Sequence, residues 1–185
     1  MVRLNKIYTR TGDAGETGLV DGSRASKASP VFAAIGDVDE ANSAIGAAVR
    51  AVTDAEARTM LGRIQNELFD LGADLATPEG VEGALRIQPD QVARLEREID
   101  GMNEDLEPLK SFILPGGGGG AAELHLGRAV VRRAERAAVA NAAAFNPVAL
   151  QYLNRLSDHL FVLARWVARE GGGDILWKPG ATRDG

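Results

Sequence analysis

No cysteine occurs anywhere in the chain, which removes disulfides, zinc–thiolate centres and thiol nucleophiles and leaves the redox compartment undetermined. Histidine is nearly as scarce. His125 and His159 are the only two; they fall on different predicted helices, with no spacing that would bind a metal, and read as ordinary helix residues. A chain this poor in histidine offers no defensible Ser/His/Asp set. Aromatic residues make up only 5%, and the abundance of alanine and leucine favours helices over sheets. No apolar run approaches the roughly 18 residues of a membrane span, and residues 1–6 lack the apolar core of a secretory signal. The expected location is cytoplasmic, with no membrane partner. A net charge of −5 argues against the broad basic surface of a nucleic-acid-coating protein, leaving room only for local arginine clusters. There is no P-loop, and Gly12, Gly15 and Gly18 lack the dinucleotide fingerprint with its strand–helix context.

What is present is a run of helices. The 185 residues, 45% of them hydrophobic, suit a single domain able to bury a real core. Apolar residues recur at steps of three and four over residues 30–52 (Val31, Ile35, Val38, Asn42, Ile45, Val49, Val52) and 54–76 (Leu61, Ile64, Leu68, Leu71, Leu75). A third stripe starts at Pro89 (Val92, Leu95, Ile99, Met102, Leu106), a fourth helix is expected over 121–143, and a fifth opens at Asn146-Pro147 and carries Leu153, Leu156, Leu160, Leu163 and Val167. This pattern predicts an all-α protein, a five-helix antiparallel bundle with shallow crossing angles. Residues 1–29 precede the bundle (30–170), and residues 171–185 form a short tail. The leading segment is too long to be an idle loop, and Ile7, Tyr8, Leu19 and Val20 are its expected anchors.

That segment is punctuated by glycine and rich in hydroxyls and cations: Thr9, Arg10, Thr11, Gly12, Thr17, Gly18 and then Lys27. Its glycines permit tight turns, and successive backbone N–H groups there can cradle an anion, so a polyphosphate ligand suits it. On the fourth helix, Arg128, Arg132 and Glu135 share one face, beside Arg133 and Arg136. Two readings fit them: a solvated face balanced by Glu135, or a clamp of arginine forks on phosphate oxygens. Asn154, Ser157, Asp158, Phe161 and Arg165 line a polar strip on the fifth helix, suited either to helix–helix hydrogen bonds or to a sugar or base. Asn42 sits in an apolar seam and suits a register-fixing role, while Asp39 suits a pair with an arginine of another helix or subunit. Phe112 precedes five consecutive glycines, residues 116–120. It serves either to hold a helix connection to the bundle or as a mobile wall against a large flat ligand.

Five motifs occur in order: Thr9-Arg10-Thr11-Gly12-Asp13-x-Gly15-x-Thr17, Gly36-x-x-Asp39-Glu40-x-Asn42, Phe112-Ile113-Leu114-Pro115-Gly116-Gly117, Arg132-Arg133-Ala134-Glu135-Arg136 and Leu153-Asn154-Arg155-Leu156-Ser157-Asp158. Together they strongly resemble the PduO-type ATP:corrinoid adenosyltransferases over nearly the whole chain. The resemblance implies a homotrimer with active sites between subunits. It implies transfer of the 5′-deoxyadenosyl group of ATP, accompanied by Mg2+, to the cobalt of cob(I)alamin, giving adenosylcobalamin and triphosphate. It implies ATP contacts from Thr9, Arg10, Thr11, Gly12, Thr17, Gly18 and Lys27, completed by Arg132, Arg133, Glu135, Arg136 and Asn154. Lys27, Arg132 and Phe112 are the expected catalytic residues, Phe112 crowding the lower face of the corrin. Asp39 and Arg128 resemble the family's pair across the subunit interface. A Co(II) reductase and an adenosylcobalamin-dependent enzyme are the implied partners. Two positions depart from the usual pattern: Ala41 stands where leucine is common, and His159 where an aromatic is common.

Overall fold

The computed structural model describes residues 7–183; the first six residues of the expected 1–29 segment and the last two of the tail lie outside it. Five helices dominate: α1 (Pro30–Ala51), α2 (Ala55–Leu75), α3 (Pro89–Glu104), α4 (Ala121–Val139) and α5 (Pro147–Ala168). Each begins where its sequence signals place it. Pro30, Pro89 and Pro147 occupy first-turn positions, where a missing N–H costs nothing. Asp54 caps α2 by accepting from the Ala57 amide at 2.9 Å. Asn146 caps α5 through its Oδ1, while its Nδ2 donates to buried Asp74 at 2.8 Å and to the Ile87 carbonyl at 3.1 Å. Arg86 Nη1 also reaches Asp74, at 2.7 Å, so one carboxylate ties the 77–88 loop to the start of α5.

The helix order in space follows side-chain size. Ala34, Ala41 and Ala48 recur every seven residues on α1 and are fully buried. They lie on the stripe of Ile45, which meets α4, whose buried face sets Gly127, Ala134 and Ala138 among Leu124 and Val131. Small residues on both sides let the two axes approach closely and fix their relative height. A Cβ added at Gly127 would stand 3.6 Å from Ile45. On its other side α4 packs against α5, which is buried around most of its circumference, chiefly from Leu160 to Ala168, where apolar residues cover nearly all faces. The predicted stripes Leu61–Leu75 on α2 and Leu153–Val167 on α5 are all buried.

Two features depart from the sequence expectations. Within the leading segment, β1 (Glu16–Gly18) and β2 (Arg24–Ser26) form an antiparallel hairpin in which Thr17 pairs with Ala25. The segment is therefore ordered, but not by the anchors expected of it. Ile7, Tyr8 and Val20 are exposed, and only Leu19 tucks in, toward Val31, Leu75 and Phe145. Polar bonds hold it instead: Arg24 donates to the Thr11 carbonyl at 2.8 Å, and the Lys27 amide to the Gly15 carbonyl at 2.8 Å. The glycine run is also no loose linker. Gly120, the N-cap of α4, has φ 90° and packs directly on the backbone of Ala51 and Val52.

Candidate active site

Two cavities hold part of the predicted set of site residues. The first, about 650 Å³, lies between the hairpin, α1 and α2, and is lined by Thr17, Lys27, Phe32, Gly36, Asp39, Asn42 and Phe69 among others. Lys27 reaches it by folding across Gly12: a Cβ at Gly12 would fall 2.9 Å from Lys27 Nζ and would push the ammonium aside. Nearby, the Thr9 and Thr11 hydroxyls share a hydrogen bond at 2.8 Å. Between them Arg10 is the one described non-glycine residue with positive φ, 63°, its guanidinium 5.6 Å from the Tyr8 ring centroid. Backbone strain of this kind concentrates at binding loops. Ser29, at the N-cap of α1, has a buried hydroxyl without a hydrogen-bond partner and does not cap the helix, leaving its positive end open beside Lys27.

The second cavity, about 690 Å³, lies between the 109–113 segment, α4, α5 and the tail, and is lined by Lys110, Ser111, Phe112, Arg128, Phe161 and Trp177. Phe112 is 78% exposed and meets the ring of Trp177 edge-on, centroids 6.1 Å apart. It therefore does not pin the helix connection to the bundle; its ring is free to face a ligand. Arg128 lies 5.9 Å from the Phe161 centroid, with a buried Nε that has no partner. Burial first, and the Arg132 charge second, hold Arg128 below the usual arginine value. His125, edge-on to Phe161, is likewise lowered, by burial and then by Arg128. This pocket wants negative charge, and among the described residues no carboxylate of the same chain pairs with Arg128.

A family profile described as cobalamin adenosyltransferase matches residues 7–167. The chain belongs to the cobalamin adenosyltransferase family. It is 52% identical over 180 residues to the cobalamin adenosyltransferase of Cupriavidus metallidurans, covering 95% of this chain and 96% of that one. It is 48% identical over 190 residues to the corrinoid adenosyltransferase of Mycobacterium tuberculosis, covering 98% and 97%. Its fold matches a PduO-type ATP:corrinoid adenosyltransferase of Lactobacillus reuteri, a variant with phenylalanine replaced by alanine, solved with cobalamin and ATP. That match has a TM-score of 0.87 at 35% identity and covers 94% of this chain and 99% of that one. A variant of the same enzyme with arginine replaced by lysine, complexed with ATP, matches at TM-score 0.84 and 36% identity, covering 94% and 100%.

In this corrinoid adenosyltransferase the predicted residues fall into separate groups. Thr17, Lys27 and Asp39 meet in the first cavity, with Gly12 beneath Lys27; Phe112 and Arg128 meet in the second. Gly18 ends β1, paired with Arg24. A third group spans α4 and α5: Glu135 accepts from Asn154 Nδ2 at 2.7 Å and lies 3.8 Å from Arg132. Arg133 turns the other way, onto α1, where it pairs with Asp37 at 3.1 Å and with Glu40. Arg136 is exposed. No hydrogen bond or ion pair among the described residues joins the 9–27 segment to the α4 arginines.

Sequence reasoning missed a buried polar network of the adenosyltransferase between α2, α3 and α5. Tyr152 donates to Glu67 at 2.8 Å, Glu67 pairs with Arg94 at 3.0 Å, and Glu98 pairs with Arg63 at 2.7 Å and with fully buried His159 at 2.9 Å. Burial alone would raise Glu98, but the bond and charge of His159 and the charge of Arg63 outweigh it and leave it below the ordinary value. Within this network His159 serves as a hydrogen-bond partner of Glu98. The lone arginine inside Leu160-Phe161-Val162-Leu163-Ala164-Arg165-Trp166-Val167 is also buried and paired, but with Asp174 and the Glu107 carbonyl, outside this network.

Proposed function

We propose that this adenosyltransferase transfers the 5′-deoxyadenosyl group of ATP to the cobalt of cob(I)alamin, giving adenosylcobalamin and triphosphate, at sites completed between the subunits of a homotrimer. One observation carries the reading: the two halves of the site are built but kept apart within one chain. The cavity holding Lys27 and Asp39 and the cavity holding Arg128 and Phe112 share no residue. Among the described residues, half-buried Arg128 has no counter-ion and exposed Asp39 pairs with no cation. A second copy that sets Asp39 against Arg128 satisfies both and brings the phosphate-binding segment to the α4 arginines.

In this assembly Thr9, Arg10, Thr11, Gly12, Thr17, Gly18 and Lys27 hold ATP from one side; Arg132, Arg133, Glu135, Arg136 and Asn154 hold it from the other. Glu135 orients Arg132 and Asn154 in the free chain, and Arg133 leaves Asp37 and Glu40 to take part. Magnesium enters as the counter-ion of substrate ATP; no group of three or more acidic or histidine side chains suited to a resident metal occurs among the described residues. Cobalt(I) donates its electron pair to C5′, the C5′–O5′ bond breaks, and that pair leaves on the triphosphate. Because the cobalt is itself the nucleophile, the protein supplies no general base. Lys27 and Arg132 stabilise the charge growing on the leaving group, and the two cavities hold the reacting atoms in line. Phe112 occupies the lower face of the corrin and keeps its axial ligand away, easing reduction of Co(II) to Co(I). The neighbouring structures support these roles: the phenylalanine variant was solved with cobalamin and ATP, and the arginine variant with ATP.

Purified protein, ATP, magnesium and chemically reduced cob(I)alamin under anaerobic conditions should give a light-sensitive alkylcobalamin spectrum with stoichiometric triphosphate. Bound ATP with no such product would overturn the transferase assignment in favour of a carrier or sensor.

A further inference from the structure

The tail beyond α5 enters the site described so far only through Trp177, yet it is firmly secured. Arg165 is 8% exposed. Its Nε donates to Asp174 Oδ2 at 2.8 Å and its Nη2 to the Glu107 carbonyl at 2.8 Å. These partners are the roots of two segments that run on side by side. From Glu107 the chain continues to Phe112; from Asp174 it continues to Trp177. The Leu114 amide donates to the Ile175 carbonyl at 2.7 Å, and the Trp177 amide to the Phe112 carbonyl at 2.8 Å. Ile113 and Leu176 form an antiparallel bridge, and the Ser111 hydroxyl donates to the Trp177 carbonyl at 2.9 Å. The two rings at the end of this clip, Phe112 and Trp177, stand edge to face.

We propose that Arg165 is a positioning residue for the corrin side of the site, and that the 174–177 tail is the strut that sets the height of the Phe112 wall. The inference rests on the reading of Phe112 given above. A guanidinium removed from water is costly unless its partners are fixed, so Arg165 commits Glu107 and Asp174 to one separation. That separation sets the register of the clip, and the clip sets where the Phe112 ring stands. Phe112 has little else to hold it, being largely exposed. Asp174 and Trp177 lie beyond residue 167, where the family match ends. The strut thus lies outside the bundle that the family profile describes, although the match with the relatives runs on through most of the tail.

The test uses the full-length enzyme with Asp174→Asn, Arg165→Lys and, alongside, Phe112→Ala. Asp174→Asn keeps the shape and a hydrogen-bonding oxygen beside Arg165 but removes its counter-charge, so the exchange of α2 and α5 serves as the check that the bundle stays folded. Hydrogen exchange in segments 111–116 and 174–178 should quicken by about tenfold or more, the scale of one charge-assisted hydrogen bond, with α2 and α5 unchanged. KM for cob(I)alamin should rise by about the same factor while KM for ATP stays within about twofold. Arg165→Lys, which keeps the charge but not the fork, should fall between wild type and Asp174→Asn. Faster exchange with an unchanged corrinoid KM would overturn the proposal, as would a parallel rise in both KM values or faster exchange throughout the bundle. Should Phe112→Ala also leave the corrinoid KM unmoved, the reading of the wall itself fails and the strut falls with it.

Discussion

Replacing Gly120 by alanine asks whether the glycine run is slack or structural. At φ 90° the backbone lies where an L-residue pays about 1–2 kcal/mol. The new methyl would stand 2.6 Å from Val52 Cγ2, 2.8 Å from the Val52 nitrogen and 3.0 Å from the Ala51 carbonyl carbon. Two of those atoms are backbone and cannot rotate away, so α4 or the end of α1 has to move, at the roughly 1–3 kcal/mol typical of overpacking. Together the loss should be about 2–5 kcal/mol, a large share of the roughly 5–15 kcal/mol that holds a domain folded. Urea unfolding of wild type and variant at one protein concentration reads it directly. Gly118→Ala is the control: its φ is not positive, its nearest neighbour is Gly171 at 3.8 Å, and stability should stay within about 1 kcal/mol. If Gly120→Ala unfolds within about 1 kcal/mol of wild type, the close packing described here does not constrain α4.

Arg132→Ala should lower turnover by about 10²–10³ with ATP still bound, as expected for removal of one clamp on a developing charge; wild-type turnover would refute its phosphate role. Asp39→Arg and Arg128→Asp should each cost roughly 2–5 kcal/mol in subunit association, read by sedimentation, and the double swap should recover most of it. If the double variant is no better than either single one, the two residues do not meet. Acid should act through His125. Its folded value is depressed below the ordinary one of about 6.5, so its contribution is present above that pH and is lost as pH falls below it toward the folded value. His125→Leu should flatten the fall in urea midpoint between pH 7.5 and 5.5, and an unchanged slope would count against the burial argument.

The helices were legible because their stripes repeat for five or six turns, and α1, α2 and α5 begin and end within two residues of their expected limits. The expected fourth helix over 121–143 instead stops at Val139 and gives way to a tight turn at Ala142–Ala144, where alanines offered no stop signal. The 16–18/24–26 hairpin was invisible because three-residue strands carry no alternation. The 111–114/175–177 clip joins segments some sixty residues apart, and nothing in either composition announces the other. Site residues were found as motifs, but their distribution was not. That Arg133 faces α1 while Arg132 stays exposed beside Glu135 of its own helix depends on where two neighbouring side chains emerge from one helix turn, which a list of arginines does not show. Asn42 behaves as its seam position suggests, donating to the Gln65 carbonyl at 3.0 Å.

The polar network around α3 has a consequence for how the molecule comes apart. This helix buries few apolar side chains, chiefly Val92, Leu95 and Met102. It is fastened to its neighbours by Arg63–Glu98, Arg94–Glu67, Arg155–Glu96 and His159–Glu98. Attraction between charges weakens with salt and with protonation of the carboxylates, whereas the alanine seam between α1 and α4 responds to neither. Acid strong enough to protonate Glu98, which is held below the ordinary value, should therefore peel α3 away first. Because α3 leads into the chain that carries Phe112, the enzyme should lose its grip on the flat substrate while its nucleotide loop is still in place.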